Sequence, residues 1–301
     1  MATPQFHGVI PPVPTVLDEN GGLDRPGMSR LIDHLLASDV NGLFFLGSAG
    51  EFSHMAHETR LEVAEFCVDY VAKRKPVLIG IAHSGTQETI RYGKHAEKIG
   101  ADGVVVVNPF YALLTDENLY RHYRTIADAL TAPIILYNFP GLTGQDIKPA
   151  IIKRLVEECP NIIGLKDTVD TLNHIRETIH LIKPIRPDFV VFAGFDEYLF
   201  GTLILGGDGC IPASANFAPQ LTCGIYKAYN DGDFAQVVAL QKRLSFIPQM
   251  YSLDAPFFNV VKEAIRLSGI DIPTNVLQPA NPLSDEKKQI VRDILKKSGL
   301  I

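Results

Sequence analysis

The sequence predicts an α/β protein, a (β/α)8 TIM barrel with a C-terminal helical extension. Three observations predict it: eight short apolar runs rich in β-branched residues, amphipathic stretches of helical length between most of them, and the loss of the strand pattern after Pro219. The runs are Val9 to Val13, Leu43 to Leu46, Val77 to Ile81, Val104 to Val107, Ile134 to Tyr137, Ile162 to Lys166, Phe189 to Ala193 and Gly209 to Pro212. Stretches such as Glu58 to Lys73, Gln87 to Ile99 and Asp116 to Leu130 repeat apolar residues three and four apart, as one buried helix face requires. A doubly wound open sheet competes with the barrel, but no Gly-x-Gly-x-x-Gly follows the first run, and eight repeats are many for that fold. Residues 1–219 are therefore expected to form the barrel and 220–301 the extension. The extension carries helical patterns over Leu221 to Asn230, Phe234 to Ile247, Phe257 to Leu267 and Glu286 to Lys297. Asp231-Gly232, Pro248, Gly269 and the Pro-rich Ile272 to Pro282 segment break them.

Composition narrows the function classes. The chain has 301 residues, 46% of them hydrophobic and 21% charged, with a formal charge of −6, so it lacks the basic excess of a nucleic-acid binder. Cys67, Cys159, Cys210 and Cys223 are widely spaced with no Cys-x-x-Cys pair, which suits reduced residues of a cytoplasmic protein. The opening Met1-Ala-Thr-Pro-Gln-Phe-His has no basic region followed by an apolar one, and no apolar run approaches 18 residues; export and membrane insertion are not expected.

The chemistry is concentrated where the runs end. In a (β/α)8 barrel the C-terminal strand ends face one mouth, so residues far apart in sequence converge there. The segment Asn161-Ile-Ile-Gly-Leu-Lys166-Asp167-Thr168 places a lysine at such an end. Either it is a solvated strand-end lysine or it is desolvated, and desolvation frees the amine: a pKa lowered by roughly 3 units costs about 4 kcal/mol. The second run ends in Gly47-Ser48-Ala49-Gly50-Glu51, the fourth in Asn108-Pro109-Phe110-Tyr111 and the fifth in Tyr137-Asn138-Phe139-Pro140. The glycine turn suits any tight connection, yet its backbone N–H groups and the Ser48 hydroxyl could hold a carboxylate without a basic residue. Tyr111 and Tyr137 are either packing residues or, beside a Schiff-base lysine, proton shuttles. His54 and His57 have a spacing that could seat two metal ligands on one helix face, but no carboxylate cluster converges with them, and no metal is assigned. Gly206-Gly-Asp-Gly209 precedes the eighth run rather than following it, which fits a tight turn at the opposite face better than a phosphate site.

These motifs together resemble the superfamily of dihydrodipicolinate synthase and N-acetylneuraminate lyase, class I pyruvate aldolases built on a TIM barrel. The likeness rests on Gly47-Ser-Ala-Gly-Glu51, Tyr137-Asn-Phe-Pro140 and Gly164-Leu-Lys166-Asp167, and it extends over the whole chain. The resemblance implies that Lys166 forms the Schiff base, that Tyr137 donates and accepts protons over the reacting carbons, and that Ser48 and the Ala49 amide hold the pyruvate carboxylate. It also implies that Ser48 joins Tyr137 to Tyr111 in a proton relay, with Tyr111 reaching the site of a neighbouring subunit. Gly194 and Ile211 match positions that line the pocket through their backbone. No cofactor is implied beyond the covalent Schiff base, and a homotetramer is.

Within that superfamily the details point away from lysine biosynthesis. Synthases usually carry an arginine two residues past the proline of Tyr-Asn-x-Pro, to grip the carboxylate of aspartate semialdehyde; Leu142 stands there. Losing such a contact removes about 1.5 to 3 kcal/mol. Ala49 replaces the second threonine of the usual synthase turn, and Phe110 a tyrosine of the regulatory lysine pocket. Gly42-Leu-Phe-Phe-Leu-Gly-Ser-Ala-Gly-Glu-Phe52, Tyr137-Asn-Phe-Pro-Gly-Leu-Thr-Gly-Gln145 and Gln249-Met-Tyr251 are similar to bacterial aldolases of 2-keto-3-deoxy sugar acids. The expected activity is reversible cleavage of a gluconate- or pentonate-derived acid to pyruvate and a short hydroxyaldehyde, with dihydrodipicolinate synthesis or another pyruvate-iminium lyase or dehydratase as the alternative. A non-catalytic keto-acid binding barrel would need neither Lys166 nor Tyr137.

Overall fold

The computed structural model describes residues 6–301, so residues 1–5, on which most of the leader argument falls, lie outside the described residues. Eight parallel strands form the barrel wall: β1 (Gly8–Val9), β2 (Leu43–Phe45), β3 (Val77–Gly80), β4 (Gly103–Val107), β5 (Ile134–Asn138), β6 (Ile162–Asp167), β7 (Val190–Ala193) and β8 (Gly209–Cys210). Each of β2 to β7 pairs with its successor in sequence, and β8 returns to β1 through Gly8↔Gly209 and Val9↔Cys210. The ring closes between β1 and β2 at the parallel bridge Pro12↔Phe44, where Val13 N donates to Phe44 O at 2.8 Å and Phe44 N to Pro11 O at 3.0 Å. The runs are apolar throughout because both faces of a barrel strand are covered, one by the interior and one by helices. The first strand is shorter than expected. Pro11, Pro12 and Pro14 cannot donate to a ladder, so regular pairing stops at Val9.

The helices lie outside the wall: α1 (Arg25–Leu36), α2 (His57–Val71), α3 (Thr86–Lys98), α4 (Asp116–Ala129), the single turn α5 (Pro140–Thr143), α6 (Pro149–Glu158), α7 (Leu172–Ile182) and α8 (Leu199–Ile204). Their starts follow capping chemistry. Asp24 accepts from Gly27 N, Thr115 from Asn118 N and Thr171 from Asn173 N, each satisfying an amide that the helix itself leaves open. After β8 come α9 (Pro219–Asn230), α10 (Phe234–Leu244), α11 (Phe258–Leu267) and α12 (Asp285–Lys297). α9 packs on α8 and β1 and so occupies the eighth place in the helical ring; α10 folds back on α9, and α11 reaches the turn that follows β2. No helix among the described residues is long and apolar enough to cross a membrane. Gly206 has a φ of +92°, and Asp208 beside it accepts from Val191 N and pairs with Lys183, which makes Gly206–Gly209 a tight turn at the strand starts.

A buried ion pair joins the C-terminal helices to the mouth. Glu51 adopts φ +61° just after the Ser48–Gly50 turn, and its carboxylate meets Lys262 of α11, both side chains being fully buried. Leu277 N donates to the other Glu51 oxygen at 2.8 Å, and Lys262 Nζ also donates to Asn275 O at 2.6 Å. Such a pair is costly to break singly because the survivor is a desolvated charge. Lys262→Met is therefore expected to lower unfolding free energy by roughly 3–5 kcal/mol in urea titrations, with the double variant Glu51→Gln/Lys262→Met recovering much of the loss. At the β1–β8 seam a Cβ on Gly209 would lie 1.9 Å from Gly8 O, so Gly209→Ala is expected to open the seam and lower the thermal midpoint by several degrees or more.

Candidate active site

Parallel pairing of β5 with β6 puts Tyr137 opposite Lys166 and Asn138 opposite Asp167. Side chains alternate along each strand, so the first two enter the barrel mouth and the second two turn toward the helices. Lys166, Tyr137, Ser48, Ala49, Gly194 and Ile211 all line one cavity of about 210 Å³ at the C-terminal end of the barrel. The Lys166 Nζ lies 4.0 Å from the centre of the Tyr137 ring and 5.2 Å from that of Phe44. The lysine is 3% exposed, and burial pushes its pKa down to about 7 against the opposing influence of Cys210 and Asp196. About half of the amine is thereby free near neutrality, which no solvated lysine achieves. The expectation of a desolvated strand-end lysine is the one the geometry matches.

Tyr137 is also buried, and desolvation pushes its phenol up to about 12 although the Ser48 and Thr168 hydroxyls beside it work the other way. Its hydroxyl is 3.3 Å from Ser48 Oγ. Ser48 opens a one-turn 3-10 helix whose later amides are used internally: Gly50 N donates to Gly47 O at 2.9 Å and Glu51 N to Ser48 O at 3.2 Å. Thr15 Oγ1 braces the turn from below through Gly50 O at 2.9 Å. Gly194 follows β7, and its lack of a side chain is a steric necessity, since a Cβ there would stand 1.8 Å from Thr168 Oγ1. Ile211 is fully buried and continues the β7–β8 pairing through its amide to Ala193 O at 2.8 Å.

Tyr111 does not meet the others within the chain. Its backbone has φ +78°, which turns the residue away from the mouth, and its side chain is 98% exposed. The sequence-based gathering of Tyr111 with Tyr137 at one mouth is thus not met within the single chain. His57 is occupied by the Tyr92 hydroxyl at 3.0 Å and His54 sits edge-on to Phe258, so the two histidines are taken up by separate neighbours.

Sequence reasoning passed over several residues that the structure brings in. Thr168 lines the cavity two positions beyond Lys166, on the same strand face, and the strand period alone could have signalled it. Asp196 lines it as well, and so does Tyr251, which the sequence offered only as part of the Gln249-Met-Tyr251 motif. The Asp196 carboxylate accepts from Ser214 N at 2.9 Å and from the Ser214 hydroxyl, and burial raises its pKa. A second lobe of about 210 Å³ adjoins the first through Ser48, Phe139 and Phe257 and reaches Phe110, Thr143 and the half-exposed Leu142. Among the described residues no lysine or arginine lines that lobe.

Known proteins align with this chain along nearly its full length. The model of the Dihydrodipicolinate synthetase family matches residues 5–298. The "Putative 2-dehydro-3-deoxy-D-gluconate aldolase YagE" of Escherichia coli (strain K12) is 49% identical over 98% of this chain and 98% of its own. The "Probable 2-dehydro-3-deoxy-D-pentonate aldolase YjhH" of the same organism is 43% identical over 99% of each. The crystal structure of YagE in complex with pyruvate superposes with a TM-score of 0.97, covering 98% of this chain and 99% of that one. With the barrel, the buried strand-end lysine and the glycine turn in their expected places, the chain belongs to the dihydrodipicolinate synthetase family.

Proposed function

We propose that the protein is a class I aldolase that reversibly cleaves a 2-keto-3-deoxy sugar acid to pyruvate and a short hydroxyaldehyde, through an iminium on Lys166 and with no resident cofactor. The observation that carries this reading is the desolvated Lys166 amine facing the Tyr137 phenol in a cavity that also holds the Ser48 turn. The relatives support it: two of them bear aldolase names of this substrate class, and one has been crystallised with pyruvate.

The steps follow from the groups present. The Ser48 hydroxyl and the amides of Ser48 and Ala49 meet the substrate carboxylate. Lys166 attacks the C2 ketone, and loss of water leaves a protonated iminium that draws electrons from the C3–C4 bond. As that bond breaks, Tyr137 takes the C4 hydroxyl proton and the aldehyde departs, leaving an enamine. Protonation at C3 and addition of water release pyruvate and restore the lysine. A phenol with a pKa of about 12 is protonated at neutral pH, so Tyr137 must pass its own proton onward as it accepts another; Ser48, at 3.3 Å, is the group placed to take it. Tyr111, solvent-exposed at the rim, extends this relay from a second copy of the chain, within the homotetramer that family membership suggests. A cytoplasmic location fits four buried cysteines that are all unpaired. The chain divides into a barrel of residues 1–219 and an extension of 220–301 whose first helix, α9, fills the eighth place in the helical ring.

The substrate assignment draws on the second lobe and on Asp196. Aspartate semialdehyde would bring a second carboxylate toward Leu142, where no lysine or arginine awaits it. A sugar acid brings hydroxyls instead, and the Asp196 carboxylate and Tyr251 hydroxyl offer them hydrogen-bonding groups beside Lys166.

Pyruvate release from five- and six-carbon 2-keto-3-deoxy acids, followed with lactate dehydrogenase, is expected to be rapid. Condensation of pyruvate with aspartate semialdehyde is expected to be slow; the reverse pattern would make the protein a synthase. Lys166→Ala is expected to abolish both turnover and borohydride trapping of pyruvate. Tyr137→Phe should lower kcat by about 10²- to 10⁴-fold while trapping persists. Because the free amine is the nucleophile, the trapping rate should rise about tenfold per pH unit below 7 and level off above it, as follows from the Lys166 pKa of about 7.

A further inference from the structure

Directly behind Lys166 and Tyr137, on the outer face of the same two strands, lies a buried polar network that the reaction steps do not use. Asn138 and Asp167 are opposed in the β5–β6 register, one residue beyond the reacting pair. Asn138 Nδ2 donates to Asp167 Oδ1 at 3.0 Å and to Asp146 Oδ1 at 2.8 Å, and Asn138 Oδ1 accepts from Ile147 N at 3.0 Å. His174, from the first turns of α7, closes the network. Its Nδ1 is 2.6 Å from Asp167 Oδ2, and its Nε2 is 3.0 Å from Ile147 O and 3.5 Å from Asp146 Oδ1. The Asp167 side chain is fully buried and that of His174 nearly so.

The donor inventory fixes how this network works. A peptide carbonyl only accepts, so Nε2 carries a proton; the 2.6 Å approach of Nδ1 to Asp167 Oδ2 holds a second proton between ring and carboxyl, and the Asp146 carboxylate 3.5 Å from Nε2 favours placing it on the ring. Burial works to lower the His174 pKa, but hydrogen bonding to Asp167 and the negative charges of Asp167 and Asp146, with the Ile147 carbonyl, overcome this and raise it. The cationic ring ties together the end of β6, the 146–147 segment that leads from α5 to α6, and α7. Through Asn138 it ties in the end of β5 as well.

We propose that His174 is a positioning residue for the aldol reaction: donating from both ring nitrogens, it clamps the ends of β5 and β6 so that Lys166 and Tyr137 stay in facing register. This inference rests on the aldolase reading above. The clamp acts on the geometry of attack and proton transfer, which is steep in distance, and leaves the carboxylate site at the Ser48 turn, on β2's side of the mouth, untouched. Loss of His174 should therefore fall on kcat and on the rate of iminium formation, with KM spared.

The test combines three measurements. Borohydride trapping of wild-type protein with pyruvate comes first, because its absence would remove the aldolase reading itself. Then His174→Leu and His174→Gln are compared with wild type for trapping rate, kcat and KM. The leucine variant is expected to lose tenfold or more in trapping rate and kcat with KM within about twofold, and the glutamine variant, which keeps one donor, to recover part of the loss. An unaltered trapping rate in a folded His174→Leu protein, or a loss confined to KM, overturns the inference. Should the leucine variant fail to fold, the glutamine variant decides on the same terms. Independently of any variant's folding, the ¹⁵N shifts of the His174 ring in wild type are expected to show both nitrogens protonated at pH 7, and a neutral ring would overturn the clamp.

Discussion

The register of β5 against β6 is the constraint on which the site depends. One pairing, Tyr137 with Lys166, sets the amine over the phenol ring, and the next, Asn138 with Asp167, seals the outer face with hydrogen bonds. Because strand side chains alternate with period two, a slip of one residue would place Lys166 among the helices and Asp167 in the cavity. The chemistry and the polar network behind it are thus two faces of a single strand pairing. Eight parallel strands closed into a ring hold that pairing more tightly than an open sheet could, since neither β5 nor β6 lies near an edge.

Electrostatics at the site depends on which charges are matched and where. Lys166 has a carboxylate as its immediate chain neighbour, and an unpaired Asp167 in a buried setting would stabilise the ammonium form that the proposed reaction must avoid. His174 stands against that carboxylate at 2.6 Å, so the pair presents a short dipole instead of a net charge. Asp196 does lie in the cavity and pulls the lysine upward, yet desolvation wins, leaving the amine at about 7. The balance works because Lys166 faces aromatic rings, which interact weakly with a cation compared with a salt bridge.

How much of this was legible in the sequence follows from the range of the interactions concerned. Strand runs and helical periodicity are local, and they located seven of the strand regions with small errors at the ends; β1 ran short because its prolines, visible in the sequence, cannot pair. Lys166, Tyr137 and the Ser48 turn were legible because strand ends in a barrel must converge. Glu51 with Lys262, 211 positions apart, was not, because nothing in local pattern says which buried cation meets which buried anion. His174 was illegible for a related reason. A histidine in the first turns of an amphipathic helix looks like any other polar position until the fold shows that it faces a strand-end aspartate.

The exposure of Tyr111 bears on why the chain alone looks unfinished. A tyrosine 98% exposed at φ +78° gains little from burial and sits in a conformation that non-glycine residues seldom adopt. Leu113 and Leu142, in the segments that follow β4 and β5, are exposed as well, giving the rim an apolar character that solvent does not favour. A second copy covering this rim would remove all three side chains from water at once and bring a phenol toward the Ser48 hydroxyl, whose other side already meets Tyr137. In the proposed mechanism the proton that Tyr137 gives up would then have a path from the cavity to the boundary between copies. On this argument association would serve the proton economy of the proposed reaction as well as the burial of apolar surface, and the same rim would account for both.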